Sequence, residues 1–281
     1  MRIDLRDRVL VITGASSGIG RATALEAACA GMDVVVSARR TDKLEEVAAE
    51  IRGRGRRALV VKCDVNVDAE VTALVQAALR ELGRLDVFFA NAGYGLYRAA
   101  AQMTEAELRD IFETNFFGTV RCVRAVLPVL RQRGDARYRG QVVICSSAAS
   151  EVGIPMYAGY AATKAAQDGY ASALRSEMYD EGIYVTTVHP VPTTTEFFTA
   201  MQARADNPAL VQHSPSPVTQ SVEHVARCIV RAMRRPRRAE VWPHLPSRLG
   251  AGLATAFPVL PAWALRRQMH QLRAIDPSLR L

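Results

Sequence analysis

The sequence predicts a doubly wound α/β fold, in which a parallel β-sheet is covered by helices on both faces. Over the first two hundred residues, short runs rich in Val, Ile and Phe alternate with longer helical patterns. The short runs are continuously apolar, which is typical of strands buried on both faces of a parallel sheet. A glycine-rich turn, Gly14-Ala15-Ser16-Ser17-Gly18-Ile19-Gly20, then joins the first apolar run to the first helical pattern.

Each element follows from its local pattern. The apolar runs predict strands at Arg8–Thr13, Asp33–Ala38, Ala58–Asp64, Val87–Ala90, Gln141–Ser146 and Tyr184–His189. The periodic segments predict helices at Gly18–Ala30, Lys43–Gly53, Asp68–Leu82, Thr104–Arg133 and Tyr157–Glu181. Thr104 with Glu107 forms a capping box, which places the start of the fourth helix. A helix at Val222–Arg235 and a short strand at Arg238–Trp242 complete the pattern.

The chain is organised as one α/β domain with a C-terminal extension. We expect the domain to cover residues 1–242 and the extension to cover residues 243–281. Residues 191–220 contain four prolines and a Phe197-Phe198 pair, and they predict a long loop with short helices. Loops of this length often close over a ligand, so we expect a substrate loop here.

Composition excludes several classes of protein. The chain has 281 residues, 49% hydrophobic and 23% charged, which is ordinary for a soluble globular protein and excludes disorder as the main state. Its five cysteines include no CxxC pair, so we expect free buried thiols rather than disulfides. The five histidines show no ligand spacing, so no metal site is expected. The first residues, MRIDLRDR, lack the apolar region of a signal peptide, which favours the cytoplasm.

The positive charge is confined to the C-terminal part of the chain. Residues 1–230 hold 26 basic and 26 acidic residues, whereas residues 231–281 hold ten arginines and two acids. This distribution argues against a nucleic-acid groove across the domain. The run Leu249–Leu265 is uncharged, but it is too short and too proline-rich to span a membrane. We favour packing on the same chain or a partner subunit; the alternative is a weak membrane-surface contact through residues 249–273.

The glycine-rich turn predicts a dinucleotide site. Its glycines let the backbone approach a pyrophosphate, and the helix N-terminus offers free N–H groups to phosphates. After the second strand stand Arg39 and Arg40, with no carboxylate to accept bonds from ribose hydroxyls. Guanidinium groups suit a 2′-phosphate, so we predict NADP(H). Arg39 is expected to make the phosphate contact, with Arg40 or Ser16 assisting.

Acid–base chemistry is predicted at Tyr160 and Lys164, which lie four residues apart and therefore on one helix face. A nearby ammonium should lower the pKa of the phenol, which could then exchange a proton with a substrate oxygen. Ser147, at the end of a strand, could hydrogen-bond that oxygen; Ser146 is its competitor. Asn115 stands within a helical pattern, where asparagine is unfavourable.

These motifs together resemble the classical short-chain dehydrogenase/reductase (SDR) family over about residues 5–245. The matching motifs are the Thr13–Gly20 turn, Asp64-Val65, Asn91-Ala92-Gly93, Asn115, and Ser147 thirteen residues before Tyr160-x-x-x-Lys164. The resemblance implies a Rossmann fold and an NADP(H)-dependent oxidoreductase that interconverts an alcohol and a ketone or aldehyde. It implies that Asn115 holds a water joining Lys164 to solvent. It also implies a homo-oligomer, a dimer or tetramer, through the helices that contain Asn115 and Tyr160.

One departure from the family lies after the sixth strand, where Val191 replaces the usual glycine. By resemblance, Pro190, Thr193 and Thr195 nearby would meet the nicotinamide. Mostly apolar residues are expected to line the substrate cavity, which favours an apolar small-molecule substrate: Tyr94, Ser147, Ala149, Met156, Tyr157, Phe197, Phe198 and Met201. The alternatives are a non-catalytic NADP-binding regulator and a reductase of lipid or steroid type at a membrane surface.

Overall fold

The computed structural model describes residues 1–135, 137–205, 207–212 and 219–279. Its strands are β1 Val9–Thr13, β2 Asp33–Ala38, β3 Ala58–Lys62, β4 Val87–Ala90, β5 Gly140–Cys145, β6 Ile183–Val188 and β7 Glu240–Val241. In this part of the chain they form a single parallel sheet in the order β3-β2-β1-β4-β5-β6-β7. The strand order reverses between β1 and β4, the point at which doubly wound sheets bind ligands. The predicted fold class is confirmed.

Helices cover both faces of the sheet. They are α1 Gly18–Cys29, α2 Thr41–Gly53, α3 Asp68–Leu82, α4 Glu105–Phe112, α5 Gly118–Arg131, α6 Ala158–Met178, α7 Glu196–Gln202, α8 Pro208–Gln212, α9 Val222–Met233, α10 Leu245–Ala256 and α11 Val259–Ile275. The predicted helix Thr104–Arg133 is interrupted by a π-helical turn at Glu113–Phe117, which contains Asn115. The capping box at Thr104 starts α4 as predicted.

The core consists of two apolar layers, one on each face of the sheet. One layer joins the sheet to α1, α2 and α9, and the other joins it to α3, α5 and α6. β1, β2, β4, β5 and β6 are buried throughout, as their apolar runs predict. β3 is only half-buried because it is the edge strand. All five cysteines are free, but Cys29 is exposed, which corrects the expectation of uniformly buried thiols.

The C-terminal extension folds into α10 and α11. Its last part packs on the domain through Leu272 and Leu279, which are buried against Tyr97 and Met156. Most of the apolar run 249–265 is exposed, however, so the expected packing of this run on its own chain is wrong. Residues 206, 213–218 and 280–281, within the predicted loop and extension, lie outside the described residues.

Within the described part of the chain, no helix combines the length and apolar character that crossing a bilayer requires.

Candidate active site

The glycine-rich turn lies between the carboxyl ends of β1 and β4. Gly14 and Gly18 have left-handed backbones, with φ of +67° and +55°. A Cβ on Gly20 would lie 2.3 Å from the Gly14 carbonyl oxygen, so only glycine fits there. The Asn91 amide holds the turn in place by donating to the carbonyl oxygens of Thr13 and Gly14, each at 3.1 Å. These contacts keep the backbone N–H groups at the start of α1 beside the sheet edge.

The N-terminus of α1 offers an anion site. Ser17 occupies the N-cap position, but its hydroxyl does not cap the helix, and the first turn contains no acidic residue. The positive end of the helix dipole is therefore not neutralised by the helix's own side chains. The Arg40 guanidinium lies beside it and donates to the hydroxyls of Ser16 and Ser17, both at 3.1 Å. This cradle fits the phosphates of a dinucleotide cofactor.

The two arginines after β2 face different carboxylates. Arg39 is well exposed, and its guanidinium lies 3.9 Å from the carboxylate of Asp64. Arg40 pairs with Glu196 at 3.1 Å. Glu196 is the first residue of α7. The preceding Thr195 packs on Gly18 of the turn, since a Cβ added to Gly18 would lie 3.2 Å from the Thr195 methyl carbon. The start of the substrate loop therefore closes onto the cofactor turn, a contact that sequence analysis did not predict.

The structure brings Ser147, Tyr160 and Lys164 together. Ser147 follows the carboxyl end of β5, and Tyr160 and Lys164 lie in the first turns of α6. Ser147 hydrogen-bonds the Tyr160 phenol. The Lys164 ammonium lies 5.6 Å from the centre of the Tyr160 ring. Ser146, the competitor, instead donates its hydroxyl to the Lys164 carbonyl at 3.3 Å. The thirteen-residue spacing therefore selects the serine that contacts Tyr160.

Burial controls the protonation of Tyr160. It raises the pKa of the phenol above its usual value, and the hydrogen bond from Ser147 opposes this shift only in part. The net shift is therefore opposite to the lowering expected from Lys164. Burial also lowers the pKa of Lys164, and the nearby Asp168 carboxylate opposes this shift only in part. At neutral pH the phenol consequently holds its proton.

Gln167 lies between Lys164 and the backbone of Asn115. The Lys164 ammonium donates to the Cys145 carbonyl at 2.7 Å and to the Gln167 side-chain oxygen at 3.0 Å. The Gln167 amide donates to the Asn115 carbonyl at 2.7 Å, and the Thr119 hydroxyl donates to the same oxygen at 2.8 Å. Both lone pairs of this carbonyl are thus engaged. The Gln167 carboxamide thus joins Lys164 directly to the Asn115 carbonyl, and the water-holding role of Asn115 stays a prediction.

Sequence analysis missed Gln167, although a signal was available. It lies three residues after Lys164 on α6 and therefore on the same helix face. It is almost fully buried, where an amide requires partners for its polar atoms.

The Asn115 side chain has a different structural task. Its amide group exchanges two hydrogen bonds with the backbone of Tyr94, both at 2.9 Å, and donates to the Thr163 hydroxyl at 3.1 Å. A Cβ on Gly93 would lie 2.9 Å from the Asn115 oxygen, which explains that glycine. Asn115 therefore fastens the loop after β4 to α6, where Tyr160 lies.

An apolar wall surrounds Tyr160. The Phe197 ring lies 5.5 Å from the Tyr160 ring, between centroids, at an angle typical of edge contacts. Most of the predicted cavity residues belong to one cluster here, namely Met156, Tyr157, Phe197, Phe198 and Met201. Sequence analysis missed further members that come from distant segments, namely Tyr97, Leu210, Val211, Leu272 and Leu279.

Besides Ser147, two predicted cavity residues lie outside this cluster. The Ala149 amide donates to the Ser147 hydroxyl at 3.1 Å, so Ala149 orients the serine through its backbone. The Arg204 guanidinium carbon lies over the Tyr94 ring, 4.2 Å from the ring centroid. Arg204 thus places a positive charge at one side of the otherwise apolar wall.

The loop after β6 is anchored beside Ser147. The Pro190 carbonyl accepts from the Ala148 amide at 3.0 Å, and the Val191 carbonyl accepts from the Thr193 hydroxyl at 2.8 Å. Val191 is buried within the protein. Its side chain therefore packs inward while the loop keeps Thr193 and Thr195 at the carboxyl edge of the sheet.

His189 lies behind the site. Its ring stacks on Trp242, with centroids 4.4 Å apart, and one ring nitrogen lies 3.7 Å from the Asp168 carboxylate. Among the described residues, Glu151, Asp168 and His189 form the one set of three possible metal ligands whose ligand atoms all lie within 4.8 Å of one another. Glu151 is exposed, and the stacking on Trp242 is that of a packed histidine.

Comparison with known proteins agrees with this geometry. The family model described as short chain dehydrogenase matches residues 8–206. The chain is 31% identical over 278 residues to the uncharacterized oxidoreductase YxnA of Bacillus subtilis, covering 98% of this chain and 76% of that protein.

Solved structures agree as well. A short chain dehydrogenase/reductase from Burkholderia phymatum in complex with NAD has a TM-score of 0.82 and 24% identity, covering 92% of this chain and 96% of that chain, which supports the fold. An alcohol dehydrogenase from Thermococcus sibiricus complexed with 5-hydroxy-NADP has a TM-score of 0.71 and 27% identity, covering 84% of this chain and 95% of that chain. With its family model, its relatives and its fold in agreement, the chain belongs to the short-chain dehydrogenase/reductase family of oxidoreductases.

Proposed function

We propose that the protein is an NADP(H)-dependent oxidoreductase that interconverts an alcohol and a ketone or aldehyde on an apolar small molecule. The observation that supports this most is the Tyr160 phenol, which is hydrogen-bonded by Ser147 and packed against Phe197. A bound nicotinamide cofactor supplies the hydride in such a reaction. The chain's own residues bind the reactants, exclude water and move the proton.

The cofactor-binding roles follow from position along the carboxyl edge of the sheet. The Gly14–Gly20 turn and the α1 N-terminus would hold the pyrophosphate. Arg39 and Arg40 would hold the 2′-phosphate, and Lys164 the ribose hydroxyls. The remaining contacts, to the adenine and the nicotinamide, would come from Asp64, Val65, Asn91, Ala92, Gly93, Pro190, Thr193 and Thr195.

The protonated phenol can serve as the general acid in the reductive direction. A carbonyl oxygen that receives hydride at its carbon becomes basic and takes the proton from Tyr160. Ser147 donates a hydrogen bond to the same oxygen and orients it. The raised pKa of Tyr160 keeps that proton available at neutral pH. In the oxidative direction the same group must first lose its proton, which higher pH promotes.

The cofactor preference is tested at Arg39 and Glu196. We expect NADPH to bind more tightly than NADH, and Arg39→Ala to reduce this difference because a guanidinium facing the 2′-phosphate is lost. Glu196→Gln should increase it, since the carboxylate that pairs with Arg40 would repel the phosphate. Fluorescence titration with both cofactors measures each dissociation constant. Equal affinities in the unmutated protein would contradict the assignment.

A second candidate function, binding of NADP(H) without turnover, needs a separate test. The complete Ser147, Tyr160 and Lys164 set argues against it. NADPH oxidation with a panel of apolar aldehydes and ketones distinguishes the two. Binding without turnover of any compound would favour the regulator.

Gln167 is expected to position Lys164. Gln167→Met keeps the volume but removes the acceptor of the Lys164 ammonium, which disfavours the charged form. We expect kcat to fall by roughly 10- to 150-fold, in line with the loss of one buried hydrogen bond to a charged group. The alkaline limb of the kcat–pH profile should also move to lower pH, because the pKa of Lys164 falls further. A lower Tm with an unchanged pH profile would show a purely structural role.

We also infer a homo-oligomer in the cytoplasm. The oligomer is supported by exposed apolar side chains on or next to the helices that the resemblance implicates, namely Leu108, Phe117 and Tyr179. Light scattering of the purified protein measures its mass in solution and tests this inference.

A further inference from the structure

An exposed apolar face runs along α10 into α11. Leu245, Leu249 and Leu253 are spaced four residues apart on α10 and therefore share one face. The face continues through the loop and the start of α11, and its large side chains are 56–81% exposed: Leu245, Leu249, Leu253, Phe257, Val259 and Trp263. Contiguous exposed apolar side chains of this kind mark an interaction surface. We call these six residues the apolar face.

The ionised side chains of α10 and α11 have one sign. Residues 241–275 contain four arginines and no acidic residue. Arg266 and Arg267 follow Trp263 by three and four residues, so they lie on the same side of α11, one turn further along. The Arg267 guanidinium lies 5.7 Å from the centre of the Trp263 ring. On α10, Arg248 is exposed beside the leucines, and its carboxylate partner, Glu240, lies outside the helix at 3.6 Å.

This charge pattern distinguishes between two occupants of the face. A second copy docked through the same face would bring two arginine-bearing helix pairs together, and the nearby Glu240 carboxylate already pairs with Arg248 of its own chain. An anionic phospholipid surface provides both complements. Its headgroup phosphates attract the arginines, and its acyl region accepts leucine, phenylalanine and tryptophan side chains.

We propose that the apolar face, with Arg248, Arg266 and Arg267, docks this protein on the surface of membranes that contain anionic phospholipids. The helices lie in the plane of the interface and do not cross it. The same helix that begins at the membrane ends at the candidate active site, because Met269 and Leu272 of α11 pack on the cluster of Tyr97 and Met156. The docking contact itself is independent of the proposed function, so it can be tested without cofactor or substrate.

The experiment uses the full chain and vesicles of phosphatidylcholine, with or without phosphatidylglycerol. We expect the protein to co-sediment with the phosphatidylglycerol vesicles, to bind phosphatidylcholine alone weakly, and to be released as salt increases. Tryptophan emission should shift to shorter wavelength on binding. Trp263 would cause the shift, because the second tryptophan, Trp242, is already buried.

Variants locate the contact. The double variant Leu249→Ser, Trp263→Ser should lose at least about tenfold in vesicle affinity, because two apolar side chains no longer insert. Arg266→Gln with Arg267→Gln should lose the preference for anionic lipid. Controls on the α/β domain are Val67→Ser, an apolar residue that is 42% exposed, and Arg80→Gln with Arg109→Gln; both should bind vesicles as the unmutated protein does.

Three results would overturn the proposal. The first is no binding to either vesicle, and the second is equal binding to both. The third combines two observations: the unmutated protein does not bind vesicles, and light scattering shows a smaller oligomer for the Leu249→Ser, Trp263→Ser variant. That result would identify a second copy as the occupant of the apolar face. Unchanged turnover in a variant that no longer binds vesicles would leave the proposed function standing and still confirm the docking face.

Discussion

Replacing Tyr160 by phenylalanine is expected to lower kcat by at least about 10²-fold, the lower end of what general acid–base catalysis contributes. The substitution keeps the ring and its edge contact with Phe197, 5.5 Å between centroids, so the apolar wall should persist. It removes the one atom that can give a proton to a substrate oxygen. The affinity for NADPH should stay nearly unchanged, because the glycine turn and Arg40 do not contact the ring hydroxyl.

Two companion variants separate this effect from general damage. Tyr170→Phe changes a half-buried tyrosine on the same helix, whose ring contacts Phe116 at 6.1 Å, and should leave kcat within about twofold, as expected for a site remote from the reacting atoms. Lys164→Ala should harm both turnover and cofactor binding, because the ammonium can reach the ribose hydroxyls as well as orient the site. Stopped-flow and steady-state kinetics with NADPH and an active ketone measure all three. Turnover retained in Tyr160→Phe would refute the assignment.

The sheet could be predicted from the sequence because its signal is local. A strand buried on both faces needs an apolar residue at nearly every position, and β1, β4 and β6 show this directly. The same rule fails for β3, since its place at the edge depends on the order of strands and not on its own residues. Asn115 illustrates an intermediate case. The unfavourable residue indicated a helix irregularity, and the structure has a π-helical turn there.

The sequence predicted which residues form the site, but not the pKa shift of Tyr160 or the long-range contacts around it. Spacing placed Tyr160 and Lys164 on one face, yet the direction of the Tyr160 pKa shift depends on how completely the phenol is buried. That burial depends in part on Phe197, which reaches Tyr160 from the loop after β6. The Arg40–Glu196 pair was equally hidden, because it joins residues 156 positions apart through the path of a loop. The exposure of the apolar face was equally hidden, because it depends on which parts of the fold pack against α10 and α11.

Gly20→Ala is expected to weaken NADPH binding by at least about 10²-fold, close to 3 kcal/mol. The new Cβ would lie 2.3 Å from the Gly14 carbonyl oxygen, which is backbone, and 2.6 Å from the Asn91 side-chain nitrogen, which two hydrogen bonds hold in place. Relief requires the turn to move away from β4, which breaks the hydrogen bond from Asn91 to Gly14, 3.1 Å in length. The N–H groups at the start of α1 would then no longer converge on one phosphate position.

Gly169→Ala is the matched control for this prediction, because the same methyl group is added to a glycine in α6 that has nothing within 4 Å of the new Cβ. Alanine in an exposed helix should raise the free energy of unfolding by roughly 0.5–1 kcal/mol and leave cofactor affinity unchanged. Isothermal titration with NADPH and thermal unfolding compare the two variants. A Gly20→Ala protein that unfolds at a nearly normal temperature but binds NADPH poorly would place the defect in the turn. If the Gly20→Ala variant bound NADPH as tightly as the Gly169→Ala control, phosphate binding would not depend on the close approach of Gly20 to the Gly14 carbonyl. The turn would then be removed from the proposed site.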